Sequence, residues 1–154
     1  MENELIPAIM AIYQEGFLKD EEVVSWADKK IMAEAEPFDF YYMLSLKGPK
    51  YCLAKPSHEF PLPKSLTYSE RFALRASALD MTSKAECENF RRWVASASLG
   101  EDLEKPEVIF GYYIDEDFFC TDNHVKGLAY FNKELPQLIT QTKHLAEALW
   151  AQIA

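Results

Sequence analysis

TYSERFALRASALDMTSKAECENFRRWVASASLG, residues 67–100, decides the fold class. Thr67-x-x-Glu70 and Ser83-x-x-Glu86 are both capping boxes, in which a hydroxyl and a carboxylate satisfy backbone N–H groups that a helix start leaves without partners. Behind the first box, Tyr68, Phe72, Ala76 and Leu79 repeat at helical spacing. Behind the second run Cys87, Phe90, Trp93, Val94 and Ala97, with Gly100 as the stop. Two helices are therefore expected here, each with one apolar stripe.

Downstream, Pro106 sets the start of EVIFGYYIDEDFF, residues 107–119, in which Ile109, Tyr112, Tyr113 and Glu116 fall at helical spacing. Its Val, Ile and aromatic content also suits a strand, and the spacing favours helix. Asp122 is the expected cap of a further helix running to Leu135, which Pro136 kinks or restarts. Leu138, Thr142, Leu145, Leu149 and Ile153 then line one face of a final amphipathic helix.

Upstream, a helix is expected from near Asn3, with Pro7 in its first turns and Gly16 as its stop. Asp20 is the expected cap of the next, whose buried stripe is Val23, Val24, Ala27, Ile31 and Ala35, with Trp26 on the flank. Pro37 ends it. FDFYYMLSL, residues 38–46, reads as helix or strand, with helical flanks favouring helix. In residues 47–65, four prolines (Pro49, Pro56, Pro61, Pro63) predict a crossover loop without helix, anchored by Tyr51, Leu53, Phe60 and Leu62. The whole reads as an all-α, single-domain helical bundle of about six to eight helices spanning residues 1–154.

Charge is segregated along this chain of net charge −9. Residues 99–122 hold eight acids against Lys105 alone, a net −7, and residues 1–22 hold a net −5; residues 23–98 are slightly basic at +2. Such a balance repels nucleic-acid phosphates and argues against unspecific nucleic-acid binding. No apolar stretch is long enough to span a bilayer. An odd set of three cysteines (Cys52, Cys87, Cys120) and an acidic N-terminus without leader character predict a reducing, cytoplasmic location.

Nothing in the sequence reaches the specificity of a catalytic or cofactor motif. Cys120 and His124 stand four apart, and Cys52 and His58 six apart, without the paired spacing of zinc sites. Asp115, Asp117 and Asp122 lack the glycine turn and terminal Glu of an EF-hand loop. Glycine-rich phosphate loops are absent, and no cofactor or metal is expected. Arg71 and Arg75 share one helical face, and Arg91 and Arg92 follow on the next helix. They form either an anion pocket or, more simply, ion pairs with Glu70, Glu86 and Glu88.

Tyr41–Tyr42, Tyr112–Tyr113 and Phe118–Phe119 are adjacent aromatic pairs. Neighbours on a helix diverge by about 100°, so one of each pair is expected to lean out of the core, towards a crevice or an interface.

GFLKDEEVVSWADKKIMAEAEPFDFYYMLSL, residues 16–46, resembles the opening of a group of small bacterial proteins, several of them described as immunity proteins of polymorphic or contact-dependent toxin systems. The resemblance rests on the acidic pair before Val23-x-x-Trp26-Ala27-Asp28, on Pro37 and on the closing Leu44-Ser45-Leu46. It implies a small, acidic, cytoplasmic binder that occludes a toxin, often a basic nuclease. The group has no catalytic motif, so no functional residue transfers.

Two functions follow as expectations. The first is a non-enzymatic domain binding a basic protein, with Glu101, Asp102, Glu104, Asp115, Glu116 and Asp117 as its charged face and Tyr112, Tyr113 and Phe118 near the centre. The second is a small-molecule pocket or minor active site beneath the 47–65 loop, using aromatics with His58, Arg71 or Arg75.

Overall fold

The computed structural model describes residues 4–154 and is all-helical, with eight α-helices, one π-turn and no strand among the described residues. The helices are α1 (Leu5–Gln14), α2 (Asp20–Ala33), α3 (Asp39–Lys47), α4 (Pro49–Leu53), α5 (Tyr68–Ala78), α6 (Lys84–Ala97), α7 (Pro106–Asp115) and α8 (His124–Gln152). Both ambiguous stretches, 38–46 and 107–119, are thus helical. The expected start near Asn3 lies outside the described residues. No helix among those described is long and apolar enough to cross a membrane.

The chain divides into two compact units. One comprises the described residues up to Leu66 together with Leu149–Ala154, and the other is Thr67–Ala148.

In the first unit α1 is buried along nearly its whole surface, from Ile6 to Ile12, as befits a helix that is apolar all round. Gly16, at φ +91°, ends it; the Phe17 N–H reaches back to the Ile12 carbonyl at 3.2 Å. Asp20 is the first residue of α2 and not its cap. Lys19 takes the cap position, its backbone N–H donating to Glu22 Oε1 at 3.0 Å. The acids Asp20, Glu21 and Glu22 fill the positive end of the helix dipole. α2 packs on α3 through Trp26 and the buried Tyr41, whose rings meet edge-on at 5.7 Å.

The expected crossover loop is corrected in part. α3 runs to Lys47 and a short helix, α4, occupies Pro49–Leu53. A proline breaks a helix by lacking an N–H and by clashing with the preceding turn; at the first helical position neither matters, and Pro49 sits there. Of the four anchors, only Phe60 is buried, its ring edge-on to Phe40 at 5.5 Å. The extended stretch after it is tied to α1 by the Lys64 N–H, which donates to the Pro7 carbonyl at 2.9 Å.

In the second unit the capping box of Thr67 closes as expected: Glu70 N–H donates to Thr67 Oγ1, and Thr67 N–H to Glu70 Oε1, both at 3.1 Å. Ser83 accepts the Glu86 N–H at 3.2 Å. The stripes of α5 and α6 meet α7 and α8 in one aromatic core: Phe72 contacts Phe90 and Phe110, and Phe131 contacts both of those. Gly111 allows α7 to press against α6. A Cβ there would overlap Ser98 and stand 2.8 Å from the Val94 carbonyl oxygen.

Candidate binding surface

α7 carries the surface. Pro106 opens it at the first helical position, and Lys105, Glu104 and Asp102 shape the turn before it, where Asp102 Oδ1 accepts the Glu104 N–H at 2.9 Å. Gly100, at φ +83°, donates its N–H to the Tyr112 hydroxyl at 3.0 Å, which fastens the 98–105 turn to the helix. At its other end α7 widens into a π-turn, Glu116–Cys120, closed by the Thr121 N–H on the Glu116 carbonyl at 2.8 Å.

The buried face of α7 is Val108, Phe110, Gly111 and Ile114. Of the helical spacing read from Ile109, Tyr112, Tyr113 and Glu116, three residues mark the outer face and Tyr112 is half-buried. Ile109 is 37% exposed and Tyr113 52% exposed, and Leu99 and Leu103 are exposed in the preceding turn. Tyr113 does not hang freely: its ring centre lies 5.2 Å from that of Tyr130 on α8. Burial, with Glu134, Tyr113 and Asp117 nearby, pushes the Tyr130 phenol up to about 12. The pair thus presents partly rigid aromatic area in an acidic setting.

Each adjacent aromatic pair splits between core and surface. Tyr41 is buried and Tyr42 exposed, Tyr112 is half-buried and Tyr113 exposed, and Phe118 is buried and Phe119 exposed.

The structure separates the acids read together from the sequence. Glu101, Asp102 and Glu104 precede α7, whereas Asp115 and Glu116 lie at its far end, about 15 Å along the axis by the rise of ten residues. They flank the Ile109–Tyr113 stripe at its two ends. Asp117, expected on the charged face, is 3% exposed and pairs with Lys126 Nζ at 3.8 Å. Phe118, expected at the centre, is buried beneath the π-turn, with the Arg91 guanidinium 4.7 Å from its ring. The π-turn adds a residue to the local repeat, so α-helical spacing misplaces both. Glu107 is buried too and accepts the Ser69 hydroxyl at 2.6 Å.

The residues of the alternative pocket are engaged locally. His58, in the first unit, is exposed beside Glu59 at 3.9 Å. Arg71 and Arg75, in the second, lie over the Trp93 ring at 5.5 and 4.5 Å. The first unit does hold a groove of about 670 Å³, but Trp26, Lys29, Lys30, Glu22 and Ile153 line it, away from residues 47–65 in sequence. Among the described residues no three His, Cys, Asp or Glu side chains gather into a metal-binding group. Cys52 and Cys87 are buried thiols and Cys120 an exposed one. Burial pushes Cys52 up to about 11, the reverse of what nucleophilic catalysis requires.

Comparison with protein-family models, with curated proteins and with solved structures finds no match for this chain.

Proposed function

We propose that the protein is a non-enzymatic binding domain that engages a basic protein partner through the outer face of α7. The observation that carries this reading is the exposed Ile109–Tyr113 stripe, backed by Tyr130 and bracketed by acids at both ends of the helix. Apolar and aromatic side chains on a helix face ordinarily turn inward. Here a second set faces out, and Leu99 and Leu103 are exposed in the turn that precedes α7. Aromatic anchors within a charged rim are the usual anatomy of a protein interface: the rim steers the encounter and the anchors hold it. An immunity or inhibitor protein occluding a basic toxin fits that chemistry, and the resemblance of residues 16–46 points the same way.

Capture from extract of the source cells tests it. Wild type should retain a basic protein that both Tyr113→Ala and the charge-reversed Glu104→Lys/Glu116→Lys variant release. Retention unchanged in both variants would place the binding surface elsewhere.

A further inference from the structure

We propose that the second unit contains a separate small-molecule site, a cleft between α6 and the α7–α8 junction that takes a compact organic anion: a carboxylate or phosphate on a flat apolar body. The cleft holds about 220 Å³ and is lined by Glu88, Arg91, Arg92, Phe118, Phe119 and His124. Spacing on α6 explains the cations, because positions 88, 91 and 92 are related as i, i+3 and i+4 and share one helix face.

Three features give the cleft a fixed shape. The Arg91 guanidinium lies against two aromatic rings, 4.7 Å from the Phe118 centroid and 5.1 Å from that of Phe131. Phe118 is itself confined: a Cβ on Gly127 would stand 2.6 Å from its ring. His124 meets the ring edge-on at 5.2 Å, and its Nε2 lies 2.6 Å from Asp122 Oδ1. Asp122 adopts φ +53°, the one left-handed non-glycine residue among those described, a conformation that carries strain. Phe118 and Phe119 of the π-turn line the cleft, and Asp122 touches it only through His124; departures from regular helix concentrate at functional sites.

The lining selects the ligand. Two arginines stand against Glu88 within the cleft, and Lys84 joins them in an adjoining hollow of about 430 Å³ that shares Glu88, Arg91, Phe118 and His124. In a chain of net charge −9 that is a local inversion of sign. Arg92 is exposed and forms no ion pair among the described residues, so its planar fork is open to a carboxylate or phosphate. Phe119, also exposed, supplies an apolar wall, its ring 6.4 Å from that of Phe118. A volume below the usual range for drug-sized ligands limits the guest to roughly one ring. This inference is independent of the α7 surface.

Titration of the ¹⁵N-labelled protein by NMR tests it, with benzoate, benzyl alcohol and inorganic phosphate as probes. Benzoate should shift the amide signals of Arg91, Arg92, Phe118 and Phe119 saturably, and more tightly than either of the others. Arg92→Ala, at an exposed position that leaves the fold intact, should weaken benzoate about tenfold, the loss of one charge-assisted hydrogen-bond pair. Arg91→Lys should weaken it as well, by removing the stacked plane. Equal shifts with benzyl alcohol, equal affinity for phosphate, shifts elsewhere in the protein, or an unchanged titration in Arg92→Ala would each overturn the proposal.

Discussion

Gly111 lies so tightly against Ser98 that no side chain fits between them, and this contact sets how deeply α7 is seated on α6. The Val94 carbonyl oxygen, 2.8 Å from where a Cβ would be, is helix backbone and has no rotamer by which to move aside. Gly111→Ala should therefore cost about 1–3 kcal/mol through overpacking. That exceeds the gain of up to about 1 kcal/mol that alanine brings inside a helix. Thermal unfolding should show a Tm lowered by several degrees. Ser98→Ala tests the other partner. Its hydroxyl is fully buried and meets no hydrogen-bond partner among the described residues, so removing it should leave stability unchanged or raise it by up to about 1 kcal/mol.

The acids at the end of α7 should weaken the fold while serving the surface. Glu116 and Asp117 begin the π-turn, and no base occupies the last turn of either helical segment, so negative charge stands against the negative end of the dipole. Glu116→Gln, at an exposed site, should raise stability by a few tenths of a kcal/mol, about 0.3 or more, in urea titration. The same substitution should slow association with a basic protein captured through the proposed surface. A loss of stability would show that Glu116 makes a contact that outweighs the dipole.

Alkaline pH should unfold the protein earlier than ordinary tyrosine and cysteine ionisation alone would. Tyr130 is raised from 10.0 to about 12, and Cys52 from 9.0 to about 11, both chiefly by burial; Tyr68 is raised for the same reason. The folded state thus holds these protons more tightly than the unfolded state. The stability they supply is complete below the unfolded values near pH 9–10 and is lost as pH rises through about 11–12. Tm should stay flat to about pH 9 and then fall steadily. A phenol absorbance titration should show late-ionising tyrosines, Tyr68 and Tyr130 among them.

Thiol labelling should separate the three cysteines. Cys120 is exposed, although partial desolvation, and then Asp115 with its Oδ2 at 3.6 Å, hold its proton on. Cys87 faces the Asp80 and Met81 carbonyls at 3.8 and 3.7 Å. With maleimide under native conditions, peptide mass mapping should find Cys120 modified at least about tenfold faster than Cys52 or Cys87, since access governs the rate at raised thiol values. Faster labelling of Cys52 would mean that α4 opens readily.

Helix identity was legible in the sequence wherever a local signal has a local cause. The hydroxyls of Thr67 and Ser83 cap the helices they precede, Pro106 begins α7, and Gly16 and Gly100 adopt the positive φ that ends a helix. Failures arose where the cause is tertiary or where a rule has a positional exception. Pro49 reads as a breaker but stands at a helix start. Asp122 reads as the cap of α8, yet Asn123 takes that part, its Oδ1 accepting the Lys126 N–H at 3.3 Å. Of the kink or restart expected at Pro136, the restart does not occur, since α8 runs on through it.

For the surface, the stretch of chain was legible but its orientation was not. Ile109, Tyr112, Tyr113 and Glu116 showed the helical period, and only packing against α6 reveals that the set around Gly111 faces inward. The burial of Asp117 and Phe118 depends on the π-turn, which has no signature in composition. Arg91 and Arg92 were visible as cations on one helix, but the wall opposite them comes from Phe118, Phe119 and His124, some 25 to 35 residues further along the chain.

Hydrogen exchange of the protein with and without its captured partner tests the α7 surface most directly. Binding at the outer face predicts slowed exchange across residues 99–119 and around Tyr130, weakening as salt rises because the acidic rim contributes through screened charge. Protection confined to α1–α4, with residues 99–119 unchanged, would contradict it.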